Sequence, residues 1–211
     1  MDNPAINRFQ PDMNRPPPAF PDERIGLMGG TFNPPHEGHV LCAQTAMRRL
    51  RLDKLWWMVS PGNPLKSQAN LADFEHRLAL SRALANNPAI AVTGFEARFE
   101  RPYTTWTTIA YLRRRYPRAH FVWVMGADNL ATFHHWQHWR RICAMVPIAV
   151  VDRPGWRLRA LSSPAAHFLA RRRLPETMAP RLPDSTPPAW VLLSAKLSHA
   201  SSTAIRGLGV P

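Results

Sequence analysis

Arg24-Ile25-Gly26-Leu27-Met28-Gly29-Gly30-Thr31-Phe32-Asn33-Pro34-Pro35-His36-Glu37-Gly38-His39 passes from a short apolar run, through a double-glycine turn, into a helical pattern. Arg24–Met28 reads as a strand stopped by Gly29-Gly30. Val40–Leu52 carries helical periodicity through Val40, Leu41, Ala43, Met47 and Leu50. In an open parallel sheet, ligands sit beyond the carboxyl ends of strands at the topological switch point, and this turn occupies such a place. Glycine there lets the backbone approach a phosphate and adopt positive φ. The helix that follows begins near Gly38 and turns its free N–H groups and positive dipole end toward the same spot. The turn is neither a dinucleotide fingerprint nor a Walker A loop, so charge stabilisation must come from elsewhere. His36 and His39 supply it: imidazolium or imidazole N–H donors stabilise charge on a phosphoryl group in flight. Two histidines without a nearby third ligand make an incomplete zinc site.

Working outward, the alternation continues. Leu55–Val59 is a strand closed by the loop Ser60-Pro61-Gly62-Asn63-Pro64, and Asp73 caps a helix running to about Asn86. Ile90–Thr93 is a strand, Thr104–Tyr116 a helix, and Phe121–Met125 a strand ending at a glycine. Helical turns follow around Leu130–Phe133 and Trp136–Ala144, then strands at Pro147–Val151 and Trp190–Leu193, and a terminal helix near Ser201–Gly207. Strand alternating with helix at this spacing predicts an α/β fold, a doubly wound Rossmann-like parallel sheet with helices on both faces. Residues 1–23 hold six prolines among polar residues and are expected to form a mobile or loosely docked arm. The folded domain is therefore expected over 24–211, with residues 154–189, rich in Pro and Arg, as a loop-and-helix excursion rather than core.

Bulk properties narrow the function classes. A chain of 211 residues fits one domain, and 45% apolar content excludes global disorder. No apolar run reaches the roughly 18 residues that span a bilayer, and no secretory pattern opens the chain; a cytoplasmic protein without membrane partners is expected. The formal charge of +13 fits an anionic partner. The Arg48-Arg49-Arg51 and Arg113-Arg114-Arg115 clusters lie in amphipathic patterns and read first as solvated faces. A nucleic-acid-binding module would need a helix-turn-helix, zinc-finger or RNP-like pattern, and none is present. Cys42 and Cys143 lie far apart in apolar stretches and read as buried reduced thiols.

Near the carboxyl end, Ser198-His199-Ala200-Ser201-Ser202-Thr203-Ala204-Ile205-Arg206 offers the hydroxyls of Ser201 and Thr203 at a helix N-terminus, with the guanidinium of Arg206 one turn later. That set suits the β- and γ-phosphates of a nucleoside triphosphate. Together with Gly30-Thr31-Phe32-Asn33-Pro34-Pro35-His36-Glu37-Gly38-His39, it resembles the two signatures of the nucleotidyltransferase superfamily, (H/T)-x-G-H and S-x-T-x-I-R. In detail the chain is similar to bacterial nicotinate-nucleotide adenylyltransferases. Ser60-Pro61-Gly62-Asn63-Pro64-Leu65-Lys66, Pro102-Tyr103-Thr104, Gly126-Ala127-Asp128-Asn129-Leu130 and Arg153-Pro154-Gly155 follow in the family's order.

The resemblance implies in-line attack of nicotinate mononucleotide on the α-phosphate of ATP, releasing pyrophosphate without a covalent enzyme intermediate, with Mg²⁺ accompanying the triphosphate. It makes His36 and His39 catalytic, His39 foremost, and assigns ATP and its phosphates to Gly29, Gly30, Thr31, Phe32, Lys66, Ser201, Thr203 and Arg206. On the acceptor side it implies Asp128, Tyr103, Thr104 and Trp136, an aromatic plane for the pyridine to stack on. Trp139, three residues on, is assigned to packing. Backbone amides near Tyr103-Thr104 and Trp136 are expected to bind the nicotinate carboxylate. Another adenylyltransferase of the superfamily, using nicotinamide mononucleotide, is the alternative; monomer and homodimer both stay open. The chain departs from the family at Leu65, where His is common, at Trp106, where Asp is usual, and beyond Arg206, where a further helix is usual.

Overall fold

A computed structural model describes residues 15–62, 71–98 and 104–195. Among these residues, seven strands form one all-parallel sheet: β1 (Arg24–Gly30), β2 (Lys54–Val59), β3 (Ile90–Thr93), β4 (His120–Gly126), β5 (Ile148–Val151), β6 (Arg173–Leu174) and β7 (Trp190–Leu193). They lie in the order β3-β2-β1-β4-β5-β7-β6. The strands are near-continuous apolar runs because both faces of the sheet are covered. Side chains alternate between two cores. Ile25, Leu27, Trp56, Met58, Phe121, Trp123 and Met125 face one, and Met28, Leu55, Trp57, Val59, Val122 and Val124 the other.

Helices α1 (Glu37–Leu50) and α2 (Phe74–Ala85) cover the second core. The first is covered by α3 (Thr105–Arg115), α4 (Ala127–Thr132), α5 (Trp139–Met145), α6 (Arg157–Leu161) and α7 (Pro164–Phe168). From β1 the chain winds outward to β2 and β3. It then crosses back through α3 to place β4 on the other side of β1. The switch point therefore lies between β1 and β4, and the turns after Gly30 and Gly126 face each other across it.

The expected α/β class and strand alternation hold, with shifted boundaries. The first helix starts at Glu37, one residue before the expected Gly38, because His36 caps it. Residues 154–189 depart from expectation. Ala160, Ala165, Ala166 and Leu169 pack in one core, Ala179 and Leu182 in the other, and Trp190 Nε1 donates to the Leu169 carbonyl at 2.9 Å. Arg and Pro dominate the composition of this stretch, but its short helices pack through alanines, which carry little hydropathic signal. The segment also contributes β6, two residues long and absent from the sequence reading.

The described part of the Pro-rich stretch, 15–23, lies against the domain. Pro16 is buried, Ala19 packs on the core, and the Tyr116 hydroxyl donates to the Pro17 carbonyl at 3.0 Å. Residues 1–14 and the helix expected near Ser201–Gly207 lie outside the described residues.

Positive φ is not why Gly29 is glycine, since neither Gly29 nor Gly30 adopts it. A Cβ on Gly29 would lie 2.8 Å from Cη2 of Trp123, which is only 2% exposed on the neighbouring β4. Gly29→Ala should therefore cost about 1–3 kcal/mol through overpacking, measured by urea unfolding followed by circular dichroism. An unchanged midpoint would show that Trp123 yields freely.

Candidate functional site

The turn between β1 and α1 is built by a buried arginine. Arg77, 1% exposed on α2, donates from Nη1 to the Thr31 carbonyl and to Ser60 O at 2.8 Å. Its Nε donates to Ala72 O at 2.9 Å and its Nη2 to Pro61 O at 3.2 Å. One planar guanidinium thus satisfies carbonyls from the turns after β1 and β2 together, which a lysine's point charge would not do in one plane. Asn33 adds a tie, its Oδ1 accepting from the Ala72 amide at 3.1 Å.

Positive φ in this turn falls on Phe32 (φ 47). The Phe32 ring is 2% exposed, with its centroid 4.8 Å from that of His39 and 5.1 Å from that of Trp57. Its side chain is thus a wall behind His39, and only its backbone is left to meet the phosphates assigned to it from sequence.

His36 and His39 close α1 reciprocally. His36 is the N-cap, and its Nδ1 accepts from the Gly38 amide at 3.1 Å. His39, at the third helical position, accepts the His36 amide on its own Nδ1 at 3.2 Å. This is a capping box with imidazoles in place of the usual hydroxyl and carboxylate. The ring centroids lie 3.8 Å apart. A neutral imidazole that accepts on Nδ1 carries its proton on Nε2, so both rings present Nε2–H as a donor.

Burial, reinforced by the Arg153 guanidinium and partly offset by Asp128, brings the His36 pKa down to about 4. Of the two forms the sequence leaves open, imidazolium and imidazole, burial favours the imidazole for His36, since desolvation disfavours the ion. Its role is that of a neutral donor.

Positive charge enters from β5 instead. Arg153 follows that strand, and its Nη1 bonds Asp128 Oδ2 at 2.8 Å between the ends of β5 and β4, beside the switch point. A Cβ on Gly38 would lie 2.9 Å from Arg153 Nη2, so glycine at the start of α1 gives the guanidinium room. The other oxygen of Asp128 is buried and has no hydrogen-bond partner among the described residues. A cleft beside these groups is lined by Gly38, Leu41, Cys42, Val151, Arg153 and Ala195. Cys42 and Cys143 are free and buried, as expected, with thiols pushed up to about 12 chiefly by burial.

On the opposite side of β4, Trp136 follows the 3-10 turn Phe133–His135 and is half-buried, set edge-on to Trp123 at 6.1 Å and to Phe133 at 5.2 Å. Trp139 is buried in the core, matching its assignment to packing. Thr104 is the N-cap of α3. Its hydroxyl accepts from the Thr107 amide at 3.3 Å, while its amide donates to Thr107 Oγ1 at 2.9 Å. The Trp136 amide donates to Phe133 O at 3.0 Å. The Thr104 and Trp136 amides themselves are thus engaged in local turns, and the Tyr103 amide lies outside the described residues.

The structure brings Gly29, Gly30, Thr31, His36, His39 and Asp128 together around the switch point, with Trp136 beyond β4. Lys66, Tyr103, Ser201, Thr203 and Arg206 lie outside the described residues. Among those described, no cluster of three or more His, Cys, Asp or Glu side chains is disposed to hold a metal ion, and no helix is long and apolar enough to cross a membrane. Sequence reasoning missed Arg77 and passed over Arg153. The signal for Arg77 was its phase: with Leu78, Ser81 and Ala85 it lies on the buried stripe of α2, where an arginine needs a polar reason.

Residues 27–208 match the cytidylyltransferase-like family model. The chain is 52% identical over 183 residues to a probable nicotinate-nucleotide adenylyltransferase of Methylorubrum extorquens, covering 87% of this chain and 98% of that one. It is 53% identical over 182 residues to one of Brucella suis, covering 86% and 93%. A nicotinic acid mononucleotide adenylyltransferase of Plasmodium falciparum, solved in complex with NaAD, shares the fold at a TM-score of 0.66 and 16% identity, over 88% of this chain and 83% of that one.

Arg77→Met keeps the length of the side chain and removes every donor. We expect a loss of about 1–3 kcal/mol, from part-buried carbonyls deprived of this donor, read as a lower urea midpoint. A midpoint within experimental error of the native one would mean the two turns hold themselves.

Proposed function

Since the chain belongs to the nicotinate-nucleotide adenylyltransferase family, we propose that it joins ATP and nicotinate mononucleotide into nicotinate adenine dinucleotide, a step of NAD biosynthesis. An oxygen of the acceptor's 5′-phosphate attacks the α-phosphorus in line, the bond between that phosphorus and the α–β bridging oxygen breaks, and pyrophosphate leaves. The observation that carries this reading is the pair of neutral Nε2–H donors at the N-terminus of α1, set on a glycine turn at the switch point.

Phosphoryl transfer of this kind asks the protein for positioning and for donors aimed where charge accumulates. In this reading His39 and His36 donate to the α/β-phosphate region, and the first-turn amides and dipole of α1 add to the same field. Gly29, Gly30 and Thr31 let the triphosphate approach the backbone. Arg153 holds Asp128 in place and supplies the cationic wall. Lys66, Ser201, Thr203 and Arg206 are proposed for the β- and γ-phosphates, and Mg²⁺ enters as part of the MgATP substrate, held by phosphate oxygens and water. Trp136 is the proposed seat of the pyridine ring, with Asp128, Tyr103 and Thr104 lining the acceptor side. Both substrates are small and soluble, which fits a cytoplasmic setting.

Pyrophosphate release measured with ATP and either nicotinate or nicotinamide mononucleotide should show a clear preference for the acid. Preference for the amide would replace the proposed acceptor, and no turnover with either would refute the reaction.

His36→Asn separates cap from chemistry, because asparagine is a good N-cap but places no donor where Nε2–H stood. Its melting temperature should stay near native while kcat falls about 10²–10³-fold. Near-native turnover would remove His36 from the mechanism.

A further inference from the structure

Glu96 is a buried carboxyl that the chemistry above does not use. It lies in the 3-10 turn Phe95–Arg98, directly after β3 and so at the same end of the sheet as the histidine pair. Its exposure is 6%. Oε1 accepts a hydrogen bond from Thr108 Oγ1 at 2.7 Å, and Thr108 is itself fully buried on α3. Around it, α3 presents Thr108 and the ring of Tyr111, which stacks on the neighbouring Phe95 at 6.3 Å. Neither is a cation. Burial pushes the carboxyl up to about 7, against the opposing effect of the Thr108 bond.

What Thr108 holds gives this bond its meaning. Its amide donates to Thr104 O at 3.1 Å, closing the first turn of α3. Within that turn the Trp106 ring lies 5.2 Å from the His138 ring and 5.4 Å from the Arg141 guanidinium. His138 is two residues past Trp136, and the Trp139 amide returns to Trp136 O at 3.2 Å. A continuous set of contacts therefore runs from Glu96 through the first turn of α3 to the segment carrying Trp136.

We propose that Glu96 is a positioning residue for the acceptor nucleotide: its bond to Thr108 pins the first turn of α3 at the end of β3 and so fixes the wall of Trp106 and Trp136. Ionisation places a carboxylate in this buried site, loosens that turn and weakens acceptor binding while leaving the ATP side untouched. The inference rests on the proposed function for the identity of the acceptor.

The sign of the linkage follows from the raised value. Below the ordinary glutamate range, near 4.5, Glu96 is protonated folded or unfolded and its contribution to stability is complete. Between there and about 7 the unfolded chain releases the proton that the folded chain keeps, so stability falls as pH rises through that window.

The test compares native enzyme with Glu96→Gln, whose amide oxygen still accepts from Thr108 and cannot ionise. KM for nicotinate mononucleotide and KM for ATP are measured well below and well above pH 7. Titration of the substrate phosphate is common to both enzymes and divides out of the comparison. In the native enzyme the acceptor KM should rise about three- to tenfold more than in Glu96→Gln, with no such difference for ATP. Identical pH courses for the two enzymes, or equal shifts for both substrates, would overturn the proposal. Thermal melts without substrate form an independent arm, in which the native melting temperature should fall relative to Glu96→Gln as pH rises from about 4.5 to about 7. Coincident melts would overturn it as well. If neither mononucleotide is adenylylated, the proposed function fails, and the melts still decide whether Glu96 is held neutral.

Discussion

Two imidazoles give one nitrogen each to the backbone at the start of α1, and the rest of the site is arranged around that commitment. The Gly38 amide occupies Nδ1 of His36, and the His36 amide occupies Nδ1 of His39. Each ring's tautomer is set by a peptide group before any substrate arrives, and each ring is fixed in orientation by the helix it caps. A hydroxyl–carboxylate capping box would end the helix equally well but would bring an acidic group to a place meant for anions. With imidazoles, the residues that stabilise the helix terminus each keep an N–H donor on the second ring nitrogen. The rings nearly touch, which two cations would resist. Burial resolves this by keeping His36 uncharged near neutrality.

That arrangement holds only if the turn before it is rigid, and the support comes from α2, one strand further along the chain. Arg77 reaches from α2 to the carbonyls of Thr31, Ser60, Pro61 and Ala72, joining the loops after β1 and β2 in one plane. Phe32 and Trp57 close the back of His39. Arg153 and Asp128 form a second brace from β5 and α4. The switch point is thus framed by fixed charges and fixed rings, the organisation that electrostatic catalysis requires.

The parallel sheet was legible in the sequence because buried strands such as Leu-Trp-Trp-Met-Val at 55–59 leave continuous apolar runs between amphipathic helices. The histidine pair was legible because the helix start and the glycine turn lie within a dozen residues of each other. Its protonation was not, since the pKa of His36 depends on burial and on Arg153, more than a hundred positions away. Arg77 was hidden for a related reason: its partners are carbonyls, which every residue has. Thr104 and Trp136 show the converse, where a motif points to a pocket but local turns have already engaged the amides. The alanine faces of α6 and α7 left the excursion unreadable, because alanine packs closely without raising hydropathy.

The excursion does more than fill space. By returning through β6 it sets a two-residue strand at one margin of the sheet, while the four-residue β3 forms the other. On β6, Arg173 is exposed with its guanidinium 5.2 Å from the Trp190 ring centroid. Long, flat sheet margins invite pairing with a neighbouring chain, and short margins bearing charge discourage it. A strongly apolar parallel sheet is in this way kept from serving as a template for its own aggregation.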